Sequence, residues 1–398
     1  EDAFPGLVFD QPHGFDTVPG DPEKLFVTEA DGRVYLIPDV TDIAVTGIEV
    51  LDITGEVFND SPPGGGTEQA MKGIAVHPDW ATNGYVYCTY NTTGGGVRVS
   101  RFTCTTSPPY SIDPASKLVL IDQQAEGTIH VIGQCHFGAD GYLYVSFGDE
   151  DPLSQNDGQN NSQHIDRNLW SCVIRIDVDK KPGSLVPNPD PGADPYAGPD
   201  PGGQASDPDL VIPRVSGSGS GEAHYAIPPD NPFVWATSFN GITLDANAVR
   251  TEMVVVGQRN PWAFFPDDND GNGTVDEIWI GDVGRGAREE VGVYAFGENG
   301  GWGWLEGSVP GVRSGQLLNG APEAAATITP PIFDYPHGGG AFAGNAVIGG
   351  LVYRDTALPS LIGKHVFCDY VSGNIWSLER TGGAPIVERI AGDSGVVA

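Results

Sequence analysis

Asp140-Gly-Tyr-Leu-Tyr144 compresses a turn and an aromatic-rich strand into one short phrase. The glycine supplies the backbone freedom of a tight turn, and the aromatic residues that follow suit a pleated, half-buried surface. The phrase recurs as Asp31-Gly-Arg-Val-Tyr35, Asn83-Gly-Tyr-Val-Tyr87 and Ser372-Gly-Asn-Ile-Trp376. Between these copies lie further short β-branched or aromatic runs, among them Leu25–Thr28, Cys172–Val178, Met253–Val256 and Glu277–Ile280. Glycine (56) and proline (33) punctuate the runs, and long amphipathic helical stretches are hard to find. The chain therefore reads as all-β. A repeated strand unit that cannot bury both its faces alone gains a core by stacking on its neighbours. The expectation is a six-bladed β-propeller of four-stranded antiparallel blades, at roughly 60–70 residues per blade. A β-sandwich with insertions is the structural alternative. Residues 1–398 are expected to form a single domain, interrupted at about 179–232 by a Pro/Gly/Asp-rich loop insertion lying over one face.

Charge narrows the function. The 53 acidic and 20 basic residues give a formal net charge of -33, which repels a phosphate backbone and excludes a nucleic-acid partner. No apolar run approaches the ~20 residues of a spanning helix, so membrane insertion is not expected. The five cysteines (Cys88, Cys104, Cys135, Cys172, Cys368) contain no CxxC pair, so neither zinc nor c-type haem finds support. Cys88 with Cys104 and Cys135 with Cys172 are candidate cross-strand disulfides, and buried free thiols are the other reading.

One metal site follows from spacing alone. Pro266-Asp-Asp-Asn-Asp-Gly-Asn-Gly-Thr-Val-Asp-Glu277 places oxygen donors at alternate positions: Asp268, Asp270, Asn272, Thr274 (through its carbonyl) and Asp276. Hard oxygen ligands around a glycine turn suit Ca²⁺, and a solvated turn is the bland reading. Its expected role is to stiffen the hairpin that follows Arg259.

Several longer segments, in order, resemble the glucose/sorbosone dehydrogenase family of pyrroloquinoline quinone (PQQ) enzymes. They are Glu68-Gln-Ala-Met-Lys-Gly-Ile-Ala-Val-His-Pro-Asp79, the stretch from His130 to Gly148-Asp149, Gly257-Gln-Arg-Asn-Pro-Trp262, Gly281-Asp-Val-Gly284 with Gly300-Gly-Trp-Gly-Trp304, and Gly349–Arg354 with Asp369–Trp376. The resemblance implies a propeller that oxidises the C1 hydroxyl of an aldose with PQQ and Ca²⁺ as cofactors. By position it makes His130 the general base, Asp149 the carboxylate behind it, and Arg259 the cation that stabilises charge on the quinone oxygen. It puts Glu68 and Asn260 at cofactor contacts and the carbonyls of Gly284 and Arg285 at the Ca²⁺. PQQ carries three carboxylates, for which Arg354 and Arg380 are the expected basic partners. The resemblance also implies a sugar substrate, an external electron acceptor such as a cytochrome or quinone, and a secreted or periplasmic location. Two other readings stand beside it. One is a non-catalytic, calcium-stabilised propeller that binds a protein or glycan. The other is a calcium-dependent lactonase-like hydrolase, whose metal would be held by carboxylates in the central tunnel. Trp302 and Trp304 suit either sugar stacking or packing between blades.

Overall fold

The Asp-Gly phrases do open strands. Gly32, Gly84, Gly141 and Gly373 all adopt positive φ, and the strands Arg33–Ile37, Tyr85–Asn91, Leu143–Phe147 and Ile375–Glu379 follow directly or within two residues. The computed structural model describes residues 6–42, 44–59, 68–125, 127–151, 157, 160–188, 210–214 and 222–392. Five antiparallel sheets carry the fold, and each is a blade. The inner strands, in order, are Pro12–Val18, Met71–Val76, Ile132–Phe137, Pro261–Asp267 and Val347–Val352. Neighbouring inner strands run side by side around a central channel. A Cβ added at Gly133 would lie 2.9 Å from the Pro261 carbonyl oxygen, and one at Gly349 would lie 2.2 Å from that of Ala263. Such close backbone approach requires glycine.

The apolar residues of each blade face interlock with the next. Phe26, Val34 and Leu36 of the first blade meet Ile74, Val86 and Phe102 of the second in one buried cluster. Tyr87, Val97 and Val99 of the second meet Cys135, Leu143 and Val145 of the third. Val173 and Val255 of the third meet Phe264, Ile278 and Ile280 of the fourth. Trp279, Val291 and Tyr335 of the fourth meet Phe367, Trp376 and Leu378 of the fifth. This last interface contains a ladder of rings: Trp279 on His365 at 4.5 Å, His365 on Phe367 at 5.7 Å, and Phe367 on Trp376 at 5.3 Å. Each aromatic pair adds about 0.5–1.5 kcal/mol beyond burial. Burial drives the His365 imidazole down to about 3, so it packs as a neutral ring.

Among the described residues the blade count is five, not the expected six. The shortfall lies in how the chain length is used. The third blade takes its last strand, Met253–Val256, long after Cys172–Ile176. The insertion expected at 179–232 falls between those two strands. Among its described residues, Leu210–Val211 adds a fifth strand to the edge of the second blade, and Tyr225 and Ile227 are buried. Residues 189–209 and 215–221 of that insertion lie outside the described residues.

The cysteines are free thiols, four of them buried. Register explains why the expected bridges do not form. Cys88 lies opposite Ser100, and Cys104 lies opposite Ile112. Cys135 lies opposite Val145, and Cys172 lies opposite Phe147.

Candidate functional site

The inner strands all begin at the same mouth of the channel, and the residues just ahead of them form the site. Glu68 precedes Met71, His130 precedes Ile132, and Arg259-Asn260 precedes Pro261. His130 adopts φ 52°, a left-handed conformation rare for a side chain of this size. Its backbone is held from the far side of a hairpin: the Glu150 amide donates to the His130 carbonyl at 2.9 Å, and the Gly148 amide donates to that of Val131 at 2.7 Å. A Cβ at Gly148 would stand 2.2 Å from the His130 oxygen, so only glycine lets the hairpin close this tightly.

The side chains form one connected network. His130 Nδ1 lies 2.8 Å from Asp149 Oδ1, and both residues are buried. An ionised carboxylate only accepts, so Nδ1 carries the hydrogen and Nε2 is left with its lone pair. The other Asp149 oxygen accepts a 2.6 Å hydrogen bond from Trp302 Nε1. The His130 amide donates to Glu68 Oε2 at 2.6 Å, while His130 Nε2 stands 4.0 Å from Glu68 Oε1, beyond hydrogen-bond reach. Asn260 Nδ2 donates to both Glu68 oxygens at 3.3 Å. The Asp149 amide donates to the Arg259 carbonyl at 2.7 Å, joining the two strand entries.

Arg259 is fixed at both ends. Its amide and that of Asn260 donate to Asp282 at 2.8 and 2.6 Å. Its Nη1 donates to the Val283 and Gly284 carbonyls at 2.8 and 2.7 Å, and its guanidinium lies 5.4 Å from the centre of the Trp302 ring. Burial pushes the Asp282 carboxyl up to about 7 against the pull of the two amides and the arginine charge. Glu290 lies directly opposite Asp282 in the sheet, and burial followed by the Asp282 charge raises it well above the usual carboxylate range. Asp157, behind Asp149, is raised to about 8, first by burial and then by the Asp149 charge.

Sequence reading thus brings together Glu68, His130, Asp149, Arg259 and Asn260, but it does not bring in Arg354 or Arg380. Arg354 pairs with Asp267 (Nη1 to Oδ1, 2.6 Å), and Arg380 pairs with Glu277 (Nη1 to each carboxylate oxygen, 2.6 Å). Asp267 and Glu277 face each other at the far end of the hairpin that starts at Pro261. At ~3.3 Å per residue, that is about 20 Å from Asn260. The two arginines therefore sit at the opposite mouth, because a strand carries its two ends to opposite faces of the propeller. Gly284 does reach the site, but its carbonyl is engaged by Arg259. The amides of Arg285, Gly286, Ala287 and Arg288 all converge on Glu306 Oε1.

The acidic loop 266–277 also lies at the far mouth. Carboxylate oxygens of Asp268, Asp270 and Asp276 come within 4.8 Å of one another. Within the same turn, Asn272 Oδ1 accepts from the Thr274 amide at 2.8 Å. The tunnel-lining carboxylate metal centre of the lactonase reading has no counterpart among the described residues, where this trio is the only such cluster.

Sequence reasoning left Trp302 undecided between sugar stacking and packing, and the structure gives it a partner in Asp149. The loop that carries it is clasped from across the site. Gln163 Nε2 donates to Asn299 Oδ1 at 3.1 Å and to the Trp302 carbonyl at 3.1 Å, and Asn299 Nδ2 donates back to Gln163 Oε1 at 2.8 Å. The only local signal was the glycine on each side of Trp302.

Residues 9–193 match the family model Glucose / Sorbosone dehydrogenase. Of the segments read above, Glu68–Asp79 and His130–Asp149 fall within that match. The PQQ-bound aldose sugar dehydrogenase of Streptomyces coelicolor superposes with a TM-score of 0.57 at 17% identity, over 98% of this chain and 83% of that one. A solved glucose dehydrogenase gives 0.63 at 17% identity, over 97% and 88%. These likenesses establish an all-β propeller fold. Among curated proteins, HIPL1 protein of Arabidopsis thaliana is 24% identical over 90% of this chain and 51% of its own length. Human Hedgehog-interacting protein is 28% identical over 39% of this chain and 23% of its own. The chain spans about half the length of the HIPL relatives or less of the others. No helix among the described residues is long and apolar enough to cross a membrane.

The cofactor implied by the resemblance can be tested against this donor set. At the reacting end it fits, since an imidazole backed by a carboxylate and a buried guanidinium stand at one mouth. For the carboxylate end, Arg354 and Arg380 are committed elsewhere. For Ca²⁺, the Gly284 carbonyl already accepts from Arg259 Nη1 and has one lone pair left to offer.

Proposed function

We propose that the channel mouth at His130 is the active centre of a PQQ- and calcium-dependent sugar dehydrogenase that oxidises an aldose C1 hydroxyl. The observation that supports it is the buried chain Trp302–Asp149–His130, which orients one imidazole nitrogen as a base. PQQ with Ca²⁺, when bound, supplies the hydride acceptor. His130 Nε2 takes the hydroxyl proton, and Asp149 stabilises the resulting imidazolium without itself taking the proton. Trp302 keeps the second Asp149 oxygen hydrogen-bonded, so the carboxylate does not swing from the imidazole. Arg259, held by Asp282 and over Trp302, places a fixed cation at the same mouth, where developing negative charge is stabilised without reorganisation. Glu68 and Asn260 line the entrance and offer polar contacts to the cofactor. An external cytochrome or quinone takes the electrons, and the location is secreted or periplasmic. A Ca²⁺ held by Asp268, Asp270 and Asp276 stabilises the far end of the hairpin.

The experiment is dye reduction by the purified chain with added PQQ and Ca²⁺ over a panel of aldoses. Turnover that needs both additions and disappears in His130→Ala upholds the proposal. The absence of both PQQ binding and turnover turns the reading to the second one, a non-catalytic calcium-stabilised propeller that binds a protein or glycan. That second reading is favoured by one observation: Arg354 and Arg380 are paired at the wrong mouth to hold an anionic cofactor.

A further inference from the structure

Two of the blades have their outer edges closed by chain that arrives from elsewhere. Leu210–Val211 pairs antiparallel with Gln123 and Asp122 at the edge of the second blade. The edge of the third, Met253–Val256, is covered by residues 297–300. There the Gly297 amide donates to the Val254 carbonyl at 2.7 Å, the Val256 amide to that of Glu298 at 3.1 Å, and the Gly300 amide to that of Val256 at 2.9 Å. A sheet edge presents a row of unpaired N–H and C=O groups, and a short extended segment satisfies them.

The outer edge of the fourth blade has no such cover. Its last strand, Phe333–Pro336, pairs on one side with residues 288–291. The His337 amide donates to the Ala287 carbonyl at 3.2 Å, and this bond fixes the phase of the ladder. Tyr335 and Phe333 fall in hydrogen-bonded pairs, and Asp334 falls in the pair between them. The N–H and C=O of Asp334 therefore point out of the sheet, and by the same alternation so do those of Ile332. Among the described residues, no backbone partner reaches these four groups. This open edge forms one wall of a groove of about 570 Å³. The other wall is Pro385 and Val387, at the outer edge of the fifth blade, with Phe342, which is 47% exposed. Apolar walls beside an open backbone ladder are the chemistry of strand addition: main-chain hydrogen bonds hold a peptide while its alternate side chains fill the groove.

We propose that this groove docks an extended peptide segment of a partner protein, which adds a short strand to residues 332–334 and lays aliphatic side chains against Phe342 and Val387. The occupant is a strand because the polar groups on offer are main-chain groups at strand spacing. Two other blade edges of the same molecule already accept segments of that kind. Pro331 has no N–H, and the Pro336 carbonyl accepts from the Gly344 amide at 3.3 Å, so the open stretch is short, as Leu210–Val211 is. The formal net charge of -33 favours basic residues at the ends of the segment. The groove lies on the outer rim, and the proposal does not depend on the His130 chemistry.

The probe is the peptide Lys-Val-Thr-Val-Thr-Val-Lys, added to the intact 398-residue chain. The expected result is saturable one-to-one binding, with at least tenfold slower amide exchange in residues 332–334 by hydrogen-exchange mass spectrometry. N-methylation of the peptide separates strand pairing from side-chain contact, because only alternate amides of a strand face its neighbour. Methylating one set, the valines or the threonines, abolishes binding, and methylating the other set leaves it in place. Phe342→Gln, at an exposed position, keeps the melting temperature of the parent and weakens binding at least tenfold. Absence of saturable binding overturns the proposal, as does an equal response to the two methylated peptides or undiminished binding to Phe342→Gln. A chain that sediments as a dimer and is dissociated by the peptide overturns it too, since a second copy then covers the edge.

Discussion

Replacing Trp302 by Phe tests whether the orientation of His130 is set from two residues away. The exchange keeps an aromatic ring beneath the Arg259 guanidinium and removes only the indole N–H that meets Asp149 at 2.6 Å. A hydrogen bond to a charged partner contributes about 1.5–3 kcal/mol. At about 1.4 kcal/mol per factor of ten, its loss is worth roughly ten- to a hundredfold in rate if the whole of it bears on the base. The reduction should fall on kcat with KM nearly unchanged, because Trp302 acts through Asp149 and not on the sugar. A second readout needs no turnover. The Nδ1 proton of His130, held against Asp149 and buried, should give a slowly exchanging downfield imidazole signal in the parent. That signal should broaden or vanish in Trp302→Phe and be absent in Asp149→Asn. Undiminished turnover together with an unchanged imidazole signal would refute the reasoning, and a collapse of the melting temperature alone would show Trp302 to be a packing residue.

Further outcomes follow from the same geometry. Gly148→Ala drives a methyl into the His130 carbonyl, so overpacking of about 1–3 kcal/mol is expected in urea unfolding, with loss of the slow imidazole signal even if the fold survives. Asp157 is raised from 3.8 to about 8, so the folded state holds a proton that the unfolded chain releases. Its contribution is therefore present at low pH and lost as pH rises from about 4 to 8, by up to about 1.4 kcal/mol per pH unit. Asp157→Asn should flatten this slope and be the more stable protein at pH 8; an unchanged slope in urea titrations at pH 5 and 8 would contradict it. Calcium at one hundred times its dissociation constant should add about 2.7 kcal/mol of stability, an effect absent from Asp268→Asn/Asp270→Asn; equal melting shifts in both proteins would remove the loop as the site.

Why some of the site was legible is a matter of hairpin geometry. His130 and Asp149 stand at the two ends of one hairpin, Ile132–Phe137 with Leu143–Phe147, so their separation along the chain returns them to the same mouth. Arg259 and Asn260 immediately precede an inner strand, and that position alone brings them to the channel. Trp302 depends on something no local pattern encodes: the clasp between Gln163 and Asn299, which lie 136 residues apart. Arg354 and Arg380 were chosen by charge, yet strand direction decides which mouth a side chain reaches, and both follow strands to the far one. The blade count failed for a related reason. A blade repeat is written in local turns and strands, whereas closure of the ring is a relation between its first and last members.

The hairpin Pro261–Asp282 shows how the two candidate sites are related. One end carries Arg259, Asn260 and Asp282 at the His130 mouth, and the other carries Asp267, Glu277 and the acidic loop between them. At the far end the hairpin is tied to the fifth blade by Arg354 on Asp267 and Arg380 on Glu277. At the near end it is tied to the third by the Asp149 amide on the Arg259 carbonyl. The strands themselves are largely buried and paired along their length apart from an irregularity at Trp262, so they transmit position as a stiff element rather than charge. A cation in the loop would therefore act on Arg259 by fixing the height and tilt of the hairpin in the ring. Its field at Arg259, about 20 Å away, is beyond the Debye length of roughly 8 Å at physiological salt. That distinction makes the loop a stabiliser of the scaffold and leaves the chemistry of the mouth to the residues that meet there.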